Sequence, residues 1–329
     1  MSSEGLNHGQ NDEVEHHYIR GDVWFDDGNV VLVAEGHSFR VHRGMLIRKS
    51  LVFADMFAMA HPRDDGLVEG CPIIPLFDTS KWDVAHMLSA FYDPERYFDT
   101  GVRISFDIVS SMLRMGHKYQ IASIKDHAIR RLRLHLPPRL QDFSESACDG
   151  GPGEKSAIDF RSRHAIAVIS LARRFELYDL LPLSFYFCSR LNPQQLAGGY
   201  TDEEGIHWSL SDEDRTRCLV GRDTIRGQCT NLYSFVFEGA VSPECSKVGK
   251  CRAELVASRT VTFIQLLPRD VRALDDCKWL REEFQLCEDC LEHFESLHFE
   301  ERKRNWDTLA VTFDLVDVVE WPPVPVLTP

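Results

Sequence analysis

Residues 30–41 read Val-Val-Leu-Val-Ala-Glu-Gly-His-Ser-Phe-Arg-Val and carry the clearest structural signal in the chain. Two runs rich in β-branched and aromatic residues flank Glu35-Gly36-His37, which predicts a β-hairpin. Ser50 is a candidate N-cap for a helix that follows the hairpin. The apolar residues of that helix recur at the helical period, so they predict one buried face: Val52, Phe53, Met56, Phe57 and Ala60.

Further strand and helix patterns extend this unit to residue 136. Ile73-Ile74-Pro75-Leu76 predicts a third strand, with Pro75 at a sheet edge or near the strand end, because proline cannot donate a backbone hydrogen bond. Three amphipathic helices then lead to Pro137-Pro138, where helix must stop. Residues 20–136 are therefore predicted to form a mixed α and β domain of ordinary size.

The composition and the predicted secondary structure change after residue 136. Residues 137–156 are rich in proline and glycine and predict a linker, and residues 157–320 predict a mainly α-helical, cysteine-containing domain. We expect a disordered leader over residues 1–19 and a proline-rich tail over residues 321–329. The predicted fold class is α+β, with an N-terminal α/β domain followed by a helical region.

Several helices are predicted within the later region. Residues 180–191 predict a helix that tolerates Pro182 only in its first turn. Ser211 to Asp214 resembles a capping box for a helix over residues 212–238, which Gly221 and Gly227 weaken. Residues 249–266 and 270–297 continue the helical pattern.

Charge and composition exclude several classes of protein. The 329 residues include 37 basic and 51 acidic side chains, for a formal charge of −14. The acid excess is −4 up to residue 136, from 15 basic and 19 acidic side chains, and −10 beyond it, from 22 and 32. Neither part has the clustered basic face that binds phosphates, which argues against direct binding of nucleic acid or an anionic membrane. With no secretory signal pattern and sparse cysteines, we expect an intracellular protein, cytoplasmic or nuclear, with reduced thiols.

Several positions in the first domain resemble the BTB/POZ domain. The pattern is an Asp-Val start, a strand hairpin, a Phe-x-Val-His-Arg-x-x-Leu turn into helix, and Ser-x-x-Phe-x-x-Met-Phe. Here it occurs between Gly21 and Phe57, and the likeness continues through the third strand and the later helices to residue 136. The signature positions are Asp22, His42, Ser50, Phe53, Met56 and Phe57.

The later sequence resembles the C-terminal region of fungal, basidiomycete-type BTB proteins. In those proteins a helical segment follows a linker and precedes cysteine-containing stretches and a tryptophan-containing tail. The matching segments here are residues 172–182, residues 286–290 and the closing Trp306 and Trp321. Ala310 departs from the pattern, since a proline is expected after Leu309.

The resemblance implies a protein-interaction adaptor or scaffold rather than an enzyme. BTB domains often self-associate, and many present a surface to cullin-type ubiquitin ligases. For a cullin, the resemblance implies a docking surface on residues 50–60 and 78–93. The alternative is a transcription-associated regulator that recruits partners without binding DNA itself. From the residues alone, Phe53, Met56 and Phe57 are predicted to be core, and Asp22 to cap a turn or pair with His42.

The late cysteines form the sharpest local motif. Cys287-x-x-Cys290 can hold one zinc ion if two more ligands come from elsewhere, and Cys245 and Cys251 are a plausible second pair. His293 is an alternative ligand, and Cys229 and Cys277 are further candidates. Buried free cysteines explain the same residues equally well. A redox site is less favoured, because no strand precedes Cys287 and acidic neighbours disfavour a reactive thiolate.

Motifs of catalysis and cofactor binding are absent from the sequence. Nucleophile-elbow, zinc-protease, P-loop and dinucleotide-binding patterns do not occur. The paired acids, such as Asp26-Asp27 and Asp64-Asp65, lie in polar stretches typical of solvated turns. We therefore predict no catalytic residue and no cofactor other than the zinc ion.

Overall fold

The computed structural model describes residues 18–59, 67–143, 157–261, 272–278 and 280–323. By its contacts the chain divides into two compact units, one of residues 1–102 and 108–129 and one of residues 103–107 and 130–329. The predicted leader up to residue 17, most of the predicted linker and residues 324–329 of the predicted tail lie outside the described residues. The predicted domain boundary at residue 136 stays a prediction.

A five-stranded sheet forms the centre of the first unit. In space its strands follow the order β1-β3-β2-β5-β4, with β2 and β3 antiparallel and β5 parallel to β2. Val30, Val31 and Leu32 on the central strand are fully buried, as their unbroken apolar pattern requires. The strands are β1 (Ile19–Arg20), β2 (Val30–Ala34), β3 (His37–Val41), β4 (Leu67–Val68) and β5 (Cys71–Pro75).

The predicted hairpin is present with a two-residue loop. Ala34 lies opposite His37, and the intervening Glu35 and Gly36 have φ angles of 47° and 73°. Positive φ at both loop positions defines a type I′ turn, whose twist matches that of the flanking strands. Of the two positions predicted for Pro75, the observed one is the strand end, since β5 lies between β2 and β4.

Helices follow the hairpin at positions that local capping explains. Ser50 Oγ accepts a hydrogen bond from the Phe53 amide at 3.1 Å, as predicted for an N-cap, and Ser80 does the same for the Asp83 amide at 3.0 Å. Asp93-Pro94 ends one helix and begins the next. The helices are α1 (Arg43–Lys49), α2 (Leu51–Met59), α3 (Lys81–Tyr92), α4 (Pro94–Phe98), α5 (Phe106–Lys118) and α6 (Ala122–His135).

The second unit is mainly helical. Its strands are short: β6 (Ile104–Ser105) pairs in parallel with β7 (Ile158–Asp159), and β8 (Tyr200–Thr201) pairs with β9 (His207–Trp208). Every residue of α8 is buried, with Pro182 in its first turn as predicted. The helices are α7 (His164–Arg174), α8 (Leu181–Ser189), α9 (Pro193–Gly198), α10 (Asp212–Leu232), α11 (Ser234–Glu238), α12 (Val248–Val261), α13 (Leu280–Glu283), α14 (Glu288–Asp307) and α15 (Leu309–Thr312).

The structure has the predicted α+β class but subdivides the late helices. The helix predicted over residues 212–238 breaks at Tyr233, where φ is −110° and ψ is 16°. The helical pattern predicted over residues 270–297 is interrupted within the described residues, because residues 272–278 are not helical and Cys287 is extended. Within the part of the chain that the structure describes, no helix is long and apolar enough to cross a membrane.

Candidate functional site

Four cysteine sulfurs converge in the second unit. The Sγ atoms of Cys245, Cys251, Cys287 and Cys290 all lie within 4.8 Å of one another, and those of Cys245 and Cys287 are 3.6 Å apart. Cys245 is half-buried and the other three are buried. These are the four metal ligands predicted from the sequence, and we refer to them as the four-cysteine cluster.

Local backbone geometry positions each sulfur. Cys245 closes a turn in which its amide donates to the Ser242 carbonyl at 3.0 Å, and Cys251 lies in the first turn of α12. Cys287 is the N-cap of α14, and the amide of Cys290 donates back to the Cys287 carbonyl at 3.1 Å. A C-x-x-C pair that spans a helix start therefore presents both sulfurs on the same side.

Backbone amides point at the sulfurs of the cluster. The Cys287 amide donates to Cys251 Sγ at 3.3 Å. Burial opposes ionisation of Cys287, but the Cys290 amide and the sulfur neighbours outweigh it and lower the pKa of Cys287 to about 6. Burial raises the pKa of Cys251 and of Cys290, although the Ser242 backbone hydrogen bond works in the opposite direction at Cys290. The cluster therefore favours at least one thiolate.

The cluster lies inside a small hydrophobic core. Three of its cysteines are core members, and Cys245 packs against it. Phe235 and Phe294 stack in this core with ring centroids 4.6 Å apart. We call this core, with α11, α12, α13 and the start of α14, the cysteine lobe. Its buried residues are Phe235, Val236, Cys251, Leu255, Leu280, Phe284, Cys287, Cys290 and Phe294.

The remaining metal-ligand candidates lie elsewhere. The group of four that the structure brings together does not include His293, which is half-buried on α14 with its ring 5.6 Å from that of Phe294. Cys277 packs against the core of the cysteine lobe without joining the cluster, and Cys229 is buried on α10. Four sulfurs in mutual reach are a donor set that can bind a metal ion.

The signature positions on α2 have structural contacts. Phe53 is fully buried and its ring stacks on Tyr119 at 4.5 Å, and Phe57 is buried beside it. Ser50 Oγ donates to the Tyr119 carbonyl at 2.6 Å while it caps α2. Met56 is only half-buried. These contacts fix α2 on the turn that follows α5.

The histidine signature position has a different acidic neighbour from the predicted one. His42 Nε2 lies 3.3 Å from Asp27 Oδ1, and its Nδ1 lies 3.0 Å from the Tyr92 hydroxyl. Asp22 is exposed. The expected pair of Asp22 with His42 is therefore replaced by Asp27, which the turn before β2 brings to the imidazole.

The fold of the first unit and its contacts agree with the comparison with known families. Residues 26–136 match the family model of the BTB/POZ domain. This chain carries a BTB/POZ domain. The match covers about a third of the 329 residues, and no curated protein matches the chain. A BTB/POZ domain is a protein-interaction module and is generally not enzymatic, which supports an interaction role for the chain.

Sequence reasoning missed a pocket in the second unit whose charged lining includes Asp107, a residue inside the BTB/POZ match. Burial and then the charge of Asp202 raise the pKa of Asp107 to about 6. Burial lowers the pKa of His164 to about 3, so this imidazole is neutral at physiological pH, and burial also raises the pKa of Tyr200. Asp202 accepts from the Trp208 indole at 2.8 Å, a bond that holds the β8–β9 turn. No spacing motif connects these residues, so the sequence alone gives no signal for the pocket.

Proposed function

We propose that this protein is an interaction adaptor that binds one partner through its BTB/POZ domain and a client through the helical region that follows. The observation that carries the proposal is the family match over residues 26–136. Within this proposal a zinc ion at the four-cysteine cluster stabilises the region that receives the client. Affinity purification of the full chain, with identification of the proteins that remain bound, is the direct test.

The proposed ligase role concerns the α2 region and residues 78–93, the surface implied for a cullin. Exposed apolar side chains support a docking role there: Phe77, next to the second segment, is 77% exposed, and Trp82 is 39% exposed. Purified full-length protein should bind a recombinant cullin in a calorimetric titration. Phe77→Asp should weaken binding at least tenfold, whereas Val220→Asp, at a position 62% exposed on α10, should leave it unchanged. No binding by the wild-type chain would remove the ligase role.

Self-association is the second part of the proposal. Ile47 on α1 and Leu51 and Met59 on α2 place apolar side chains at the surface of the BTB/POZ domain, and Leu51 and Met59 are more than 70% exposed. Light scattering on the full chain should give the mass of a dimer, and Leu51→Asp should shift it toward the monomer. A monomeric wild-type chain at high concentration would contradict the proposal.

The alternative function is a transcription-associated regulator that recruits partners without contacting DNA. The observation that favours it is the acidic charge of −14, which suits protein partners and not phosphates. In cells the protein should then enter the nucleus and associate with chromatin only through other proteins. Exclusion from the nucleus would eliminate this alternative and leave the ligase adaptor.

We also propose that the chain belongs to the fungal group of BTB proteins. Its closing tryptophans support this, because the Trp321 indole donates to the Trp306 carbonyl at 2.7 Å and the two rings lie 5.2 Å apart. Trp306 itself is 2% exposed. Fungal proteins of this group should show the same pair of cysteine motifs and the same pair of tryptophans after the BTB/POZ domain. A set of such proteins without these features would separate this chain from the group.

A further inference from the structure

The four-cysteine cluster carries an inference that does not depend on which partner the BTB/POZ domain binds. We propose that Cys245, Cys251, Cys287 and Cys290 bind one zinc ion in a closed tetrathiolate site, and that this ion completes the core of the cysteine lobe. The metal is then structural, and the lobe folds only around it.

The spacing of the sulfurs suits a tetrahedral ion. Zinc–sulfur bonds of about 2.3 Å place neighbouring ligands about 3.8 Å apart in a tetrahedron. The sulfurs of Cys245 and Cys287 are 3.6 Å apart, and all four lie within 4.8 Å of one another. The arrangement therefore needs little adjustment to surround one ion.

The donor set selects the class of metal. Four thiolates suit soft or borderline ions, whereas magnesium and calcium prefer oxygen ligands. A site that uses four protein ligands leaves no position for water or substrate, which is the pattern of structural zinc and not of catalytic zinc. Iron is the other common ion with four thiolate ligands, and its colour distinguishes it from zinc.

Buried free thiols account less well for the same geometry. Burial alone explains single cysteines in a core, but here four converge from three chain segments: the turn at Ser242–Cys245, the start of α12 and the start of α14. The Cys287 amide also donates a hydrogen bond to Cys251 Sγ. A thiolate that binds a metal ion accepts hydrogen bonds in this direction.

The size of the lobe explains why a metal would matter there. Among the residues that the structure describes, its core contains nine buried residues, of which three are ligands. Helices α11 and α13 have only five and four residues and cannot hold a helical fold by themselves. A metal ion that joins α12, α14 and the turn before α12 supplies the cross-links that this small core lacks.

The first experiment measures metal content in the full-length protein purified under reducing conditions. Elemental analysis should find about one zinc per chain and no stoichiometric iron. Cys287→Ser should lose the metal, whereas the matched variant Cys277→Ser should retain it, because Cys277 packs against the same core outside the cluster. Equal loss of zinc from both variants, or iron in place of zinc, would overturn the proposal.

A second measurement uses the unmodified chain, in case Cys287→Ser does not fold. Replacement of the zinc by cobalt(II) should produce the sulfur-to-metal charge-transfer band and the intense d–d bands of a tetrahedral thiolate site. A folded wild-type chain that contains no metal, takes up no added zinc and gives no such cobalt spectrum would refute the site. The adaptor proposal would survive that outcome, since partner binding by the BTB/POZ domain is measured separately.

Discussion

The first unit and the cysteine lobe of the second protect buried polar groups in different ways. In the first unit the buried carboxylate of Asp83 is neutralised by Arg114, whose Nη2 lies 2.6 Å from Asp83 Oδ1. In the cysteine lobe three buried cysteine sulfurs lie beside that of a half-buried fourth cysteine, and the proposed compensating charge is a metal ion. The first unit therefore supplies its own counter-charge from an arginine side chain, whereas with the proposed zinc site the lobe takes its counter-charge from a metal ion in solution.

Metal removal should have the largest effect, and that effect should be confined to the cysteine lobe. A chelator added to the reduced protein should abolish amide hydrogen-exchange protection in α12 and at the start of α14, because metal binding and folding are coupled in such sites. Protection of β2 and β3 should persist. Loss of protection in β2 and β3 at the same chelator concentration, or none in α12, would contradict the comparison.

Truncation of a core ring should have the next largest effect, this time in the first unit. Phe53→Ala removes a fully buried ring that stacks on Tyr119, and should lower the free energy of unfolding by about 3–5 kcal/mol. Urea unfolding followed by hydrogen exchange in β2 and α5 measures the change. Leu67→Ala on β4 of the same unit removes a side chain that is 68% exposed and serves as the control, with an effect of about 0.5 kcal/mol or less.

Acidification should destabilise the second unit through its buried histidines. Burial lowers the pKa of His135 and His298 to about 4, below the value of about 6.5 in the unfolded chain. The unfolded state therefore binds protons first, and the stability contributed by each neutral imidazole is present above pH 6.5 and is lost as the pH falls toward 4. Each should cost about 2 kcal/mol between pH 7 and pH 5.

The histidine prediction is checked by urea titrations of the full chain at pH 7 and pH 5. His298→Gln removes one titrating group, so its unfolding free energy should depend less on pH than that of the wild type. The same pH dependence in the variant and the wild type would show that His298 is not held neutral. His298 is a suitable choice because, within the described residues, its Nε2 makes no hydrogen bond that the variant would break.

Helix caps should give the smallest effect and should be equal in the two units. Ser80 accepts from the Asp83 amide at 3.0 Å at the start of α3, and Ser211 accepts from the Asp214 amide at 3.1 Å at the start of α10. Ser80→Ala and Ser211→Ala should each cost about 1 kcal/mol, because each leaves one helix amide without its acceptor. Thermal denaturation of the two variants beside the wild type measures both. A cap variant that costs as much as Phe53→Ala would indicate a role beyond capping.

Local signals were enough to predict the elements that depend on adjacent residues. The hairpin over residues 30–41, the Ser50 cap and the cap at Ser211 each rest on residues a few positions apart, and the structure contains all three. The family pattern identified the signature positions of the first unit, because its residues also lie close together in the sequence. The break at Tyr233 was missed because nothing in the sequence between α10 and α11 forbids helix there.

Contacts at the candidate sites between residues far apart in the chain could not be predicted from the sequence. The two cysteine motifs were identified, but only the structure brings the Cys245 sulfur to within 3.6 Å of that of Cys287, 42 positions later in the chain. His42 contacts Asp27 rather than Asp22 because the course of the chain before β2, and not the distance in sequence, decides which carboxylate reaches it. The pocket around Asp107 assembles residues from β6 to β8 and could be found only from coordinates.

The pairing of β6 with β7 determines where a stable fragment that contains the BTB/POZ domain can end. The family match ends at residue 136, yet Ile104 inside it pairs with Ile158 beyond it. Arg131, also inside the match and fully buried, donates to the Ala157 carbonyl at 2.7 Å. A fragment that stops at residue 136 would lack the partner of β6 and the acceptor of a buried guanidinium. A soluble fragment that contains the BTB/POZ domain should therefore extend beyond residue 159, and should resist proteolysis better than one that ends at the family boundary.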